Sequence, residues 1–191
     1  FWEQVVGEED VVLGRTLDEN TRLPQGQTHP GGLLNLTSDS DGKLRHYRWY
    51  TPGPDTRPLP SLALAAYLSL REQSWEPDTM IEARGDLRVT DYDSNGVAQQ
   101  RSLPQEILLD ERANWQEPGP RNFVHVSPEQ LRQWESEGGL PHLEGRVVLI
   151  GYVAPGSGDL GNTSLNKSVP KVNVHAVALN GLLQDAWYQA T

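Results

Sequence analysis

VVLI, residues Val147 to Ile150, is an unbroken apolar run with Arg146 before it and Gly151 after it. A run this short and this rich in β-branched side chains predicts a strand buried on both faces. A half-buried strand would alternate, and a buried helix would need more residues. A doubly buried strand needs something packed above and below it, and two helical patterns are available. LPSLALAAYLSLREQ (Leu59 to Gln73) is the clearest helix, with Ser61 as N-cap and Leu64, Tyr67, Leu68 and Arg71 at helical spacing. VNVHAVALNGLLQDAWYQA predicts a second, roughly Val174 to Gln189, with Asn173 as its N-cap. Strands alternating with helices give an α/β class: a single domain with a mixed central sheet, helices packed on its faces and β-hairpin excursions. Val147 to Ile150 is the expected interior strand, with the helices from Ser61 and Val174 against it.

Other elements are read from local patterns. VVLG (Val11 to Gly14) predicts a short buried strand, and Asp18 to Gly32 is a loop by composition. LLNLTSDSDGKLRHYRWY has two strand-like arms around Asp41-Gly42, a hairpin dipeptide. MIEARGDLRVT and VAQQRSL read as strands around DYDSNG. EILLDERA (Glu106 to Ala113) and FVHV (Phe123 to Val126) each predict a further strand. Ser127 and Pro128 then cap and start a helix through EQLRQWESEGG. The opening FWEQVVGEEDVVLG resembles the end of a helix, an acidic turn and a strand. An N-terminally incomplete fragment spanning 1–191 is therefore expected.

Composition excludes several function classes. The formal charge of −10 argues against a nucleic-acid surface, which needs clustered Lys and Arg, and against docking on anionic lipid. No stretch approaches the roughly 20 apolar residues of a spanning helix. Without cysteine there is no thiol catalysis, disulfide or thiolate-held metal.

The motifs that suggest chemistry each lack a necessary part. GSGDLG (Gly156 to Gly161) has the G-x-G-x-x-G spacing of a dinucleotide loop, and an apolar run precedes it. The next segment, Asn162 to Pro170, is too polar and Pro-terminated to be the helix whose N-terminus holds a pyrophosphate. No cofactor is expected. DYDSNG (Asp91 to Gly96) matches the first half of a calcium loop, but position twelve is Ser102 where a bidentate Glu is required, so a metal-free hairpin turn is expected. SLNK (Ser164 to Lys167) has S-x-x-K spacing, yet Pro170 comes too soon after it for the helix that chemistry needs. Asp159 and His175 are a carboxylate–imidazole pair without an evident nucleophile or metal. A histidine beside an apolar helix face is more often packed and hydrogen-bonded than catalytic. The tryptophans are scattered and form no periodic stacking platform.

Two blocks of the chain resemble the CHASE2 domain, an extracytoplasmic sensory module of bacterial signalling proteins. In one, VVLIG ends at Gly151, Asp159 and Thr163 fall on the family's Asp and Thr, and PKVNVHA (Pro170 to Ala176) leads to Leu182 and Leu183. In the other, GGLLNLTSDSDGKLRHYRWY then LPSLALAAYL is similar to a G-x-x-N…D-x-D-G-x-x-R…P-S-L-A-L stretch. The likeness is strongest at residues 31–70 and 144–184. Two positions depart from it: Ser164 stands where the family has Pro, and Lys171 where it has Gly. The resemblance implies a non-enzymatic ligand-sensing input, outside the membrane and membrane-anchored in the full-length protein. A kinase or nucleotide cyclase would be its output, and a homodimer is compatible with it. Any ligand is expected around Tyr152, Asp159, Thr163 and His175, and the last helix is the expected output element, with Trp187 and Tyr188 at the membrane interface. The alternatives are a metal-assisted hydrolase using Asp159, His175 and His142, or an interaction domain that binds nothing small.

Overall fold

The structure, a computed structural model, describes residues 12–15, 31–53, 56–93, 95–109, 123–138, 143, 146–151 and 159–189. The core is organised around helix α1 (Leu62–Leu70). Ser61 caps it as predicted, its Oγ accepting the Leu64 N–H at 3.3 Å. Residues Leu62 to Leu68 are buried without interruption, so this helix is apolar all round and sits inside the molecule. Helix α4 (Lys171–Gln184) packs on it through Val174, Ala178, Leu179 and Leu182. Fully burying one such aliphatic side chain contributes roughly 1.5–3 kcal/mol, which makes the α1–α4 contact a large part of the domain's cohesion.

The strands fall into small sheets around this pair. β1 (Leu13–Arg15) and β2 (Gly31–Leu33) are parallel. β3 (His46–Arg48) pairs antiparallel with β8 (Glu106–Leu108), whose other edge takes β11 (Tyr188–Gln189). β4 (Tyr50–Pro52) with β5 (Pro58–Pro60), β6 (Leu87–Tyr92) with β7 (Ala98–Leu103), and β9 (Leu160–Gly161) with β10 (Val169–Pro170) are antiparallel pairs. Side chains alternate from His46 to Trp49, with Tyr47 and Trp49 inward at 1% and 0% exposure, and Tyr50 is buried after them. Two short helices complete the described elements. α2 is Pro77–Met80, and α3 (Pro128–Ser136) carries a full capping box between Ser127 and Gln130. The class is the α/β one read from the sequence.

Several local expectations are corrected. Val147 to Ile150 is not an interior strand: it joins no ladder, and Ile150 is 69% exposed. The residues that are buried through and through are those of α1, and an apolar run by itself does not say which segment the core takes. FVHV also forms no strand, and Val124 is 76% exposed. The turn at Ser40 to Gly42 exists, with Gly42 at φ +77°, but its arms pair elsewhere, β2 with β1 and β3 with β8. The last helix starts at Lys171 rather than Val174, leaving Asn173 buried inside it instead of capping it. It stops at Gln184, because Asp185 turns left-handed (φ 54°) and the Ala186 N–H returns to the Gly181 carbonyl at 3.0 Å, a Schellman closure. Trp187 is half-buried against the core and Tyr188 is in β11, so no continuous rod reaches Gln189. No helix among the described residues is long and apolar enough to cross a membrane.

DYDSNG forms the tip of the β6–β7 hairpin, with Gly96 at φ +75°. Asp93 Oδ1 accepts the N–H groups of Asn95 at 2.8 Å and Val97 at 2.9 Å, so this oxygen is spent on the turn rather than aimed at an ion. Isothermal titration with millimolar calcium should therefore give no saturable heat. A saturable signal abolished by Asp93→Ala would overturn this.

Candidate functional site

The segment from Asp159 to Pro170 is a polar excursion closed by the β9–β10 ladder. Its base is tied to α4 by the Lys171 N–H, which donates to the Asp159 carbonyl at 2.8 Å. Inside it, Thr163 and Asn166 bond each other. The Thr163 N–H reaches the Asn166 carbonyl at 2.9 Å, and the Asn166 N–H reaches Thr163 Oγ1 at 3.2 Å. Thr163 Oγ1 also donates to the Asn166 carbonyl at 3.4 Å. Asn162 Oδ1 accepts the Ser168 N–H at 3.2 Å and holds Ser168 left-handed at φ 57°. These short-range bonds are typical of Asn, Ser and Thr, whose side chains compete for neighbouring backbone groups.

This loop lies against the acidic turn of the other sequence block. The Leu44 N–H donates to the Asn162 carbonyl at 2.6 Å, and Gly161 lies against the Leu44 side chain so closely that a Cβ there would meet Leu44 Cδ1. Arg45 completes the join. Its Nη1 and Nη2 grip Asp41 at 2.9 and 2.6 Å, Nη1 also reaches Asp39 Oδ2 at 2.8 Å, and Nε donates to Ser164 Oγ at 2.8 Å. A planar guanidinium suits such a fork, where a lysine could hold one partner only loosely. His46 Nδ1 lies 2.7 Å from Asp39 Oδ1. Hydrogen bonds from His46 and then Arg45 hold the Asp39 carboxyl below its usual range, while Arg45 alone is the main cause for Asp41. The two carboxylates in turn push the Arg45 pKa up.

His175 points the other way, into the core, with 1% exposure. Its Nδ1 is 2.7 Å from the Tyr47 hydroxyl, and the two rings meet edge to face with centroids 5.6 Å apart. Tyr47 Oη also accepts the Ala63 N–H at 3.3 Å, one of the free donors at the start of α1. With the phenol O–H donating to Nδ1, the imidazole is the neutral Nε2–H tautomer. Burial pushes the His175 pKa down to about 4. The Leu34 backbone acts in the opposite direction, though Nε2 closes no hydrogen bond of good geometry. Burial likewise raises the Tyr47 phenol above its ordinary value.

Of the four residues singled out in the sequence, Asp159 is exposed and Thr163 half-buried on the same excursion. His175 is one helix turn beyond the Asp159–Lys171 tie, with its ring turned to Tyr47 rather than to Asp159. Tyr152 and His142 lie outside the described residues, as do Gly156 to Gly158. Sequence reasoning did not single out Arg45, Asp39, Asp41 or Ser164. The D-x-D-G-x-x-R spacing was the available signal, because it sets two carboxylates and a guanidinium around one tight turn. Ser164 was visible only as the serine of a discounted S-x-x-K spacing and as a departure from the expected Pro, and here its hydroxyl is a partner of Arg45.

The two blocks that carried the resemblance thus meet in space, joined by Leu44 and Arg45 of one to Asn162 and Ser164 of the other. Across residues 3–191 the chain matches the model of the CHASE2 domain family. It belongs to that family. CHASE2 domains are extracellular sensory parts of membrane signalling proteins, which gives this one a sensing role. No curated protein and no solved structure matches the chain.

Proposed function

We propose that this CHASE2 domain is the ligand-sensing input of a membrane-anchored bacterial signal-transduction protein with a kinase or nucleotide cyclase output, and that it performs no chemistry itself. Its ligand is met on the excursion that includes Asp159 and Thr163, with His175 supporting it from the core and Tyr152, which lies outside the described residues, as the fourth residue of the reading. The Arg45 clamp carries this reading. A small molecule that displaces Ser164 or orders Asn162 to Asn166 acts, through one guanidinium, on the acidic turn and on β3 behind it. Contacts at the loop therefore become a difference in free energy between two arrangements of the domain, which is what a sensor requires. The state of His175 supports the non-enzymatic half: an imidazole held neutral and buried against a tyrosine offers neither a metal ligand nor a general base to solvent.

A thermal-shift screen of small polar metabolites tests this. One chemical class should raise the melting temperature, by about 2.7 kcal/mol of added stability at 100 times its dissociation constant. The shift should disappear in Thr163→Ala and weaken in Ser164→Pro. Metal-dependent hydrolysis of an ester or phosphoester, abolished by Asp159→Ala, would establish the hydrolase instead. A domain that no small molecule stabilises, yet which associates with a second copy, would be an interaction module.

A further inference from the structure

With partners different from those of Arg45, a second guanidinium sits where four parts of the chain converge. Arg101, on β7, is 19% exposed. Its Nη2 donates to the Leu182 carbonyl at 3.0 Å, one of the unpaired carbonyls at the C-terminal end of α4, where a cation also complements the helix dipole. The same nitrogen donates to the Tyr67 hydroxyl of α1 at 3.1 Å and lies 3.2 Å from Asp91 Oδ2 on β6. Nη1 reaches Asp185 Oδ1 at 3.2 Å. The guanidinium plane lies over the rings of Trp187 (5.3 Å) and Tyr67 (5.7 Å). Tyr67 in turn donates to Asp91 Oδ1 at 2.6 Å, and Arg71 reaches that oxygen at 3.2 Å.

We infer that Arg101 is a releasable latch holding the end of α4 and the segment through Gln189 against the β6–β7 ribbon and α1. Two features make it releasable rather than simply structural. First, the backbone of this segment is tied by short elements, the return bond from Ala186 to Gly181 and a ladder of β11 on β8 only two residues long, with Trp187 packed against the core. A two-residue ladder opens at a fraction of the global unfolding cost. Second, the grip is incomplete, because Arg101 Nε and Arg71 Nε are buried without a hydrogen-bond partner, and Asp185 is 69% exposed to competing solvent and ions. The latch joins the ribbon directly to the last described strand, since β8 comes after β7 with only Pro104 and Gln105 between them. A shift of the ribbon therefore moves both Arg101 and the strand that β11 pairs with. Its use as a signalling element rests on the sensory reading; its existence does not.

Hydrogen–deuterium exchange on the wild-type chain and on Arg101→Gln tests the latch itself. Amides of Ala186 to Gln189 should exchange at least roughly tenfold faster in the variant, through the loss of the charged hydrogen bonds to Leu182 and Asp185 that lead into this segment and of the guanidinium over Trp187, while α1 amides Ala65 to Leu68 keep wild-type protection. Trp187 fluorescence should shift in parallel. Unchanged protection at 186–189, or loss of protection in α1 to the same degree, would overturn the inference. If Arg101→Gln does not fold, Asp185→Asn decides: it removes only the outer contact, and asparagine tolerates the left-handed position. Faster exchange confined to 186–189 supports the latch, and wild-type exchange there refutes it.

Discussion

Replacing Gly32 with alanine is expected to destabilise the domain by about 3 kcal/mol, the upper end of what an extra buried methyl costs. The melting temperature should fall by roughly 6–12 °C for a chain of this size. Gly32 lies in β2 where that strand passes the start of α1, alongside the Leu33–Ser61 bridge. A Cβ there would lie 2.4 Å from the Leu62 Cα, 2.7 Å from the Leu62 nitrogen and 2.7 Å from the Ser61 carbonyl oxygen. All three are backbone atoms, so no side-chain rotation relieves the clash. Either β2 moves off the helix or the Ser61 cap opens, and the most buried helix of the protein begins at that cap. Gly42→Ala is the matched control. Nothing lies within 4 Å of its Cβ, and only its φ of +77° resists the substitution, at about 1 kcal/mol. Thermal melts of the two variants side by side check this. Equal losses would mean that the approach of β2 to α1 is not what makes Gly32 necessary.

Stability should also fall by roughly 2 kcal/mol between pH 7.5 and pH 5, through His175. Its folded pKa of about 4 lies below the ordinary 6.5, so the unfolded chain takes up the proton first. The stability is complete above about 6.5 and is lost progressively as the pH falls towards 4. Protonation would place a cation beside the N-terminal half of α4 and force Nδ1 to donate toward a Tyr47 oxygen that already accepts the Ala63 N–H. The group facing the ring is the Tyr47 phenol, which cannot offset a positive charge. Asp39 and Asp41 also lose stabilising interactions in acid, but below the ordinary carboxylate value of 3.8, outside this window. Urea unfolding midpoints at the two pH values read the loss. His175→Asn keeps an acceptor for the Tyr47 hydroxyl and has nothing to titrate, so its midpoint should be flat across the window. A slope as steep as the wild type's would assign the effect to another group.

Elements whose stability is local could be read from the amino-acid order alone. Helix α1 was legible because its cap, its propensity and its unbroken apolar surface all lie within Ser61 to Leu70, and no partner has to be known to read them. The β6–β7 hairpin was legible for the same reason: Asp93, Asn95 and Gly96 close the turn with their own atoms, and the strands extend from it. The capping box of α3 is a property of Ser127 and Gln130 alone. The packing of His175 was legible as a tendency, because an imidazole beside Val174, Ala178 and Leu179 is on an apolar face.

The rest was set by tertiary packing, wherever an outcome depended on which of several competing groups took a place. Val147 to Ile150 has the apolar content for a buried strand, but burial is a property of the site, and the run lies largely exposed while α1 is buried. Helical propensity carries α4 well past Gln184. It stops there because Asp185 turns left-handed and because Arg101, more than eighty residues earlier in the chain, supplies the donor that caps Leu182. Arg45 and Ser164 are 119 residues apart, and neither has a pattern that names the other. A hydrogen bond between distant side chains carries no periodicity: it exists only once hydrophobic burial has brought the two backbones together, and so it is written in the fold rather than in any stretch of the sequence.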